Sequence, residues 1–321
     1  VEHRAVRDRG PGSRNLALPK ENFLIRTAAL VLLIAFGASA EPKIDNVLVK
    51  MVPPGTTSIV GARMDVLKAT DFYKRMLAAQ KLPQLDKFAV ESGFDPRRDV
   101  KEILFAEAPQ GSVLLGRGTF RINEPILQGA KKIRYHEYTI VAQEASGFCI
   151  LDSTLAVAGE IPAIEAALDE WKSGKHTAAL PLIAKVKAAS ESTQLWGVST
   201  GAAAFLADNL PIMSGGIDFS KIFRGLEDTW FVGDFSAGLR ADVHGTAAKE
   251  QDAANLRDAV KGLVGLGRLS VPEKQPELLK LWDGITVEQM GRAITVHADI
   301  PQDLMERVVR LLSASRTGGK I

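Results

Sequence analysis

The sequence predicts an α+β fold: two similar antiparallel sheets, each covered by helices, related by internal duplication. Three observations carry this. A strand-and-helix segment occurs twice, as Leu155-Ala-Val-Ala-Gly-Glu-Ile-Pro162 and Ile294-Thr-Val-His-Ala-Asp-Ile-Pro301, each an alternating strand that ends on an acid and Ile-Pro. Runs such as Ile103 to Glu107 and Ser112 to Phe120 lie too close together for a parallel crossover, so they read as hairpins. The length of 321 residues, 46% of them apolar and 24% charged, allows two cores that need no staple.

The elements follow in chain order. Residues 1–40 read as a leader: Arg26 precedes an apolar run from Ala28 to Phe36, then Ala38-Ser39-Ala40 offers small residues for a signal peptidase. Nine apolar residues are far short of the roughly 20 that span a bilayer. Export with cleavage after Ala40, to the periplasm or the medium, is the expectation, with no transmembrane span in the mature chain.

The first α+β repeat is placed at 41–173. Its opening strand is Ser58-Ile-Val-Gly-Ala62, followed by a helix over Asp65 to Ala79 with Asp65 as N-cap. Hairpin strands come next, interrupted by a helix over Asn123 to Ala130. The closing strand enters a helix at Pro162, where a missing N–H costs least, and Ile164, Leu168 and Trp171 form its apolar stripe. An Ala/Lys-rich linker, 174–192, leads to the second repeat at 193–314.

There Leu195-Trp-Gly-Val198 takes the place of the opening strand, with a helix over Ala202 to Leu210 behind it. Gly216-Ile217-Asp218 and Thr229-Trp-Phe-Val232 answer Gly93-Phe94-Asp95 and Ile103-Leu-Phe-Ala106. A helix over Thr246 to Leu263 ends in Gly262-Leu-Val-Gly265-Leu-Gly267, read as a helix terminus and turn because it lacks the GK[ST] ending of a phosphate loop. Leu304, Val308 and Leu311 repeat the final stripe, and 315–321 is a frayed tail.

Charge excludes a nucleic-acid binder. The chain carries 40 basic and 38 acidic residues, and without residues 1–40 the balance is 34 against 35, with both signs interleaved. The single Cys149, in the apolar strand Gly147-Phe-Cys-Ile-Leu151, reads as a buried structural thiol.

Three sets of residues are candidates for chemistry. Gly197-Val198-Ser199-Thr200-Gly201 matches G-x-S-x-G between a strand and a helix, with Asp234 and His244 or His297 downstream in triad order. Against it, the hairpins of the first half are not the parallel units of a hydrolase fold, and no oxyanion segment is present. Alternation places Arg240, Asp242 and His244 on one strand face and Thr295, His297 and Asp299 on another, a possible His/Asp patch for which a solvated sheet face is the plain explanation. Tyr135-His136-Glu137-Tyr138 could stack a ligand or simply pack. None of the histidines after the leader lies within metal-ligand spacing of another.

The repeated strand, Gly/Ala-acid-Ile-Pro and helix, standing behind a signal peptide, resembles secreted bacterial proteins built from two α+β copies. The resemblance implies an extracytoplasmic setting and no activity. No catalytic, cofactor or metal residue is therefore assigned and no cofactor is expected. The reading is an exported soluble protein that binds a small molecule or an envelope protein without catalysis; the alternative is a serine-type hydrolase using Ser199.

Overall fold

The computed structural model describes residues 46–79, 86, 89–90, 94–120, 129–174, 180–186, 193–201, 225–273 and 275–307. Its strands are β1 (Ser58–Arg63), β2 (Val100–Ala108), β3 (Gly111–Gly118), β4 (Lys131–Tyr135), β5 (Tyr138–Gln143), β6 (Ser146–Ile150), β7 (Leu155–Glu160), β8 (Leu195–Thr200), β9 (Leu226–Asp234), β10 (Gly238–Ala247), β11 (Ile285–Met290) and β12 (Ala293–Pro301). They form one twelve-stranded sheet in the order β11-β12-β10-β9-β8-β1-β2-β3-β7-β6-β5-β4, with neighbouring strands antiparallel.

The expected pair of sheets is thus corrected to a single sheet. The joint is the β1–β8 pair, in which Ser58 faces Ser199 and Ala62 faces Leu195. Each of these opening strands would otherwise present a row of unpaired amides and carbonyls at an edge, and pairing them satisfies both. Outward from this joint the first half runs β1-β2-β3-β7 and the second runs β8-β9-β10-β12.

Alternation along the strands divides the core between two faces. On one face Ile59, Leu104, Leu115, Val157, Trp196 and Val232 pack beneath the helix Ile161–Ser173, the segment from Leu48 to Val52 and Leu182. Ile164 and Leu168 of that helix are fully buried, each worth roughly 1.5–3 kcal/mol. Gly174, left-handed at φ 69°, ends it. The opposite face carries two clusters. Val60, Phe105, Phe231 and Ile300 pack with Met64, Phe72, Leu304 and Met305, while Leu226, Ala247, Val287 and Ile294 pack with Ala253 and Leu256 of the helix Glu250–Leu269. Leu226 reaches this face because the β9–β10 register shifts between Thr246 and Ala247.

Three helix expectations change. The helix placed over Asp65 to Ala79 is two helices, Met64–Leu67 and Asp71–Ala79. Lys68 donates to the Val100 carbonyl at the break, and Thr70, rather than Asp65, supplies the cap, its hydroxyl accepting from the Tyr73 amide at 3.2 Å. The helix placed over Thr246 to Leu263 begins later, because β10 holds the chain to Ala247, and runs on to Leu269. Gly262, Gly265 and Gly267 therefore lie inside it. At Gly267 a side chain would collide with the Trp282 ring, so the missing Cβ is what lets the short helix Leu279–Asp283 pack there. In the expected linker, Leu180–Ile183 is helical and Leu182 is buried against the sheet. The leader, residues 123–128 of the helix expected over Asn123 to Ala130, the helix expected over 202–210, Gly216 to Asp218, Val308, Leu311 and the tail 315–321 lie outside the described residues, and Gly129 and Ala130 are not helical.

Candidate functional site

Ser199 lies within β8, 5% exposed, and its Oγ is 2.8 Å from Ser58 Oγ and 3.3 Å from the Thr200 carbonyl oxygen it donates to. Those contacts tie the hydroxyl to the seam between the halves. The histidines are engaged elsewhere. His244 Nδ1 lies 3.0 Å from Thr295 Oγ1, and His297 Nδ1 lies 2.8 Å from Asp242 Oδ1. Asp234, the expected third member, accepts from Gln194 and from the Ser236 amide. The structure brings none of these groups to Ser199.

It does bring the polar rows of β10 and β12 together. His244 faces Thr295 on one side and Trp230 on the other, while Asp242 faces His297 and Val232. The imidazole of His244 stacks on the Trp230 indole with centroids 3.8 Å apart and planes 16° from parallel. Burial holds its pKa below the ordinary value, partly opposed by the Asp242 charge. On this face the helix cover extends over β8 through Leu180–Ile183, and His244 and His297 are half-buried.

A second place, not assembled by the sequence reading, is an open cleft of about 430 Å³ lined by Pro54, Gln110, Tyr135, Pro162, Glu165, Ala166, Asp169, Glu170 and Ser173. The helix Ile161–Ser173 forms its floor. The β4–β5 hairpin tip, turned by His136 at φ 51°, forms one wall, and the Pro109-Gln110 turn between β2 and β3 contributes another. The tip is fastened to the helix at several points. Tyr135 Oη donates to Asp169 Oδ2 at 2.9 Å, His136 Nε2 sits 2.8 Å from Asp169 Oδ1, and Lys172 Nζ donates to Glu137 Oε2 at 2.8 Å.

The electrostatics are one-sided. Burial, the Asp169 hydrogen bond and the charges of Asp169 and Glu165 together push the Tyr135 phenol up to about 12. Lys172 holds the Glu137 carboxyl below its usual range. Cys149, pushed up to about 11 by burial, is an inert thiol in the core. Among the described residues no group of His, Cys, Asp and Glu is arranged to hold a metal.

The likeness to solved structures is one of fold. Crystal form III of TP0453 superposes with a TM-score of 0.50 at 9% identity, over 83% of this chain and 97% of that one. The chain is similar in fold to TP0453. Crystal form IV of TP0453 gives a TM-score of 0.46 at 10% identity, over 86% and 97% of the two chains. The sequence matches no family model and no curated protein. At such identity no side chain is carried over from TP0453, so the site rests on the geometry above.

Tyr135 and His136 carried a visible signal, an aromatic pair in an alternating strand. Glu165, Asp169 and Glu170 carried a fainter one, acids at helical spacing opposite Ile164 and Leu168. That the two sets meet was not visible, because 33 to 35 residues separate the partners and only the docked hairpin closes the gap.

Proposed function

We propose that the protein is exported and binds a ligand reversibly, without transforming it, in the cleft between the β4–β5 hairpin tip and the helix Ile161–Ser173. One observation carries the reading: the cleft has a fixed aromatic wall, apolar Pro and Ala contacts and a few convergent polar groups, the make-up of a binding site. The serine and histidines of the triad reading lie elsewhere, with Ser199 on Ser58, His297 on Asp242 and His244 on Thr295, and the histidine beside the cleft, His136, is engaged by Asp169. Among the described residues no helix is long and apolar enough to cross a membrane. The leader reading of residues 1–40, with cleavage after Ala40, supplies the export route.

The proposal extends to organisation: 41–173 and 193–314 are copies of one unit joined by 174–192. Their matching strand order out from β1 and β8 supports this, as do the two acid-Ile-Pro strand ends of β7 and β12.

Native mass spectrometry of the purified full chain after incubation with cell-envelope extract tests the binding reading. A retained small molecule, lost in Glu165→Lys, is expected. Turnover of an ester, phosphoester, glycoside or peptide substrate that vanishes with a cleft substitution would overturn it. N-terminal sequencing of secreted protein is expected to begin at Glu41.

A further inference from the structure

We propose that the cleft takes an alkylammonium group, the charged end of a linear amine. The proposal rests on the cleft being the ligand site and adds the class of ligand.

The helix Ile161–Ser173 has two stripes. Ala163, Ile164, Ala167 and Leu168 face the core, and Glu165, Asp169 and Glu170 stand on the side that lines the cleft. Glu165 and Asp169 are one turn apart, a spacing at which like charges repel. Lys172 is on Glu137 and His136 sits against Asp169, which leaves Glu165 and Glu170 without an ion pair among the described residues. No lining residue is a Lys or Arg. Two carboxylates outside any ion pair among the described residues, set against a concave wall, invite a positive ligand.

The rest of the lining selects the kind of cation. Tyr135 is held by Asp169 and by packing on the core, and an aromatic ring attracts ammonium groups through its face. Pro54, Pro162 and Ala166 offer apolar contact for methylene groups. Its volume of about 430 Å³ exceeds what a bare ion needs and accommodates a short amine chain. A divalent metal needs a converging set of ligands, and among the described residues no group of His, Cys, Asp and Glu is arranged to hold one. An anion would meet three carboxylates.

The test titrates isotope-labelled full chain with 1,5-diaminopentane, N-acetyl-lysine amide and neutral pentane-1,5-diol, following the amide signals of Tyr135, Glu165 and Asp169. Saturable shifts with one or both amines are expected, weakened by salt and at least about tenfold weaker in Glu165→Gln/Glu170→Gln. That variant removes repulsion from a half-buried helix side and should fold. Tyr135→Leu, reading the ring contribution, should also weaken binding. The relative affinity of the two amines tells a free diamine from a lysyl side chain. Equal shifts with the diol would overturn the cationic assignment yet leave the cleft as a ligand site. No shift with any probe would overturn the assignment too, while retention of an extract component in the native mass spectrum would still uphold the broader reading.

Discussion

Gly61→Ala tests the seam that makes one sheet of two halves. Gly61 lies on β1 directly opposite Trp196 of β8 and Leu104 of β2. A Cβ at this position falls well inside van der Waals distance of Trp196 Cε2, Nε1 and Cζ2. The indole has no easy retreat, since Trp196 is 1% exposed within a cluster containing Ile59, Leu104, Leu115 and Val198. Overpacking of this kind costs about 1–3 kcal/mol, and partial expulsion of a buried Trp raises the figure toward about 3–5 kcal/mol. A loss of about 3 kcal/mol is expected, lowering Tm by roughly 4–5 °C for a chain of this size. Urea unfolding followed by far-UV circular dichroism and tryptophan fluorescence measures it, with calorimetry for Tm. Because β1 and β8 share the seam, both halves should fall together in one transition. Two separate transitions with only one displaced, or a loss below about 0.5 kcal/mol, would refute the argument.

The His244 pKa lies below its ordinary value because burial disfavours the imidazolium, so the unfolded chain binds that proton more readily. Its contribution to stability is present above about pH 6.5 and declines as pH falls through that value; His244→Gln should flatten Tm against pH between about 5 and 7.5, and an unchanged slope would count against the reading. Ser199→Ala should cost about 1 kcal/mol by leaving Ser58 Oγ without its 2.8 Å partner, with ligand retention unaffected. Loss of a hydrolytic activity in that variant would bring the serine-hydrolase alternative forward.

What the sequence determined by itself is the local layer. Alternation in Leu155 to Glu160 and Ile294 to Ile300, the Ile-Pro strand ends and the stripe of Ile164 and Leu168 depend on neighbours a few residues away, and periods of two and 3.6 are written directly in such neighbours. The hairpin of β2 and β3 was legible for the same reason, since only a Pro109-Gln110 turn separates its strands. The helix break at Lys68 to Thr70 was not, because Lys68 is held by a carbonyl on a strand 32 residues away. Tertiary structure alone decided that the halves share one sheet. Apolar strands of this kind pair equally well with a strand of their own half or of the other, and the choice turns on whether Trp196 finds the space over Gly61. It likewise decided the cleft: the spacing of Glu165, Asp169 and Glu170 along one helix does not show that the β4–β5 hairpin docks beside them, and a docking held by Tyr135, His136 and Lys172 is a property of packing that no local pattern encodes.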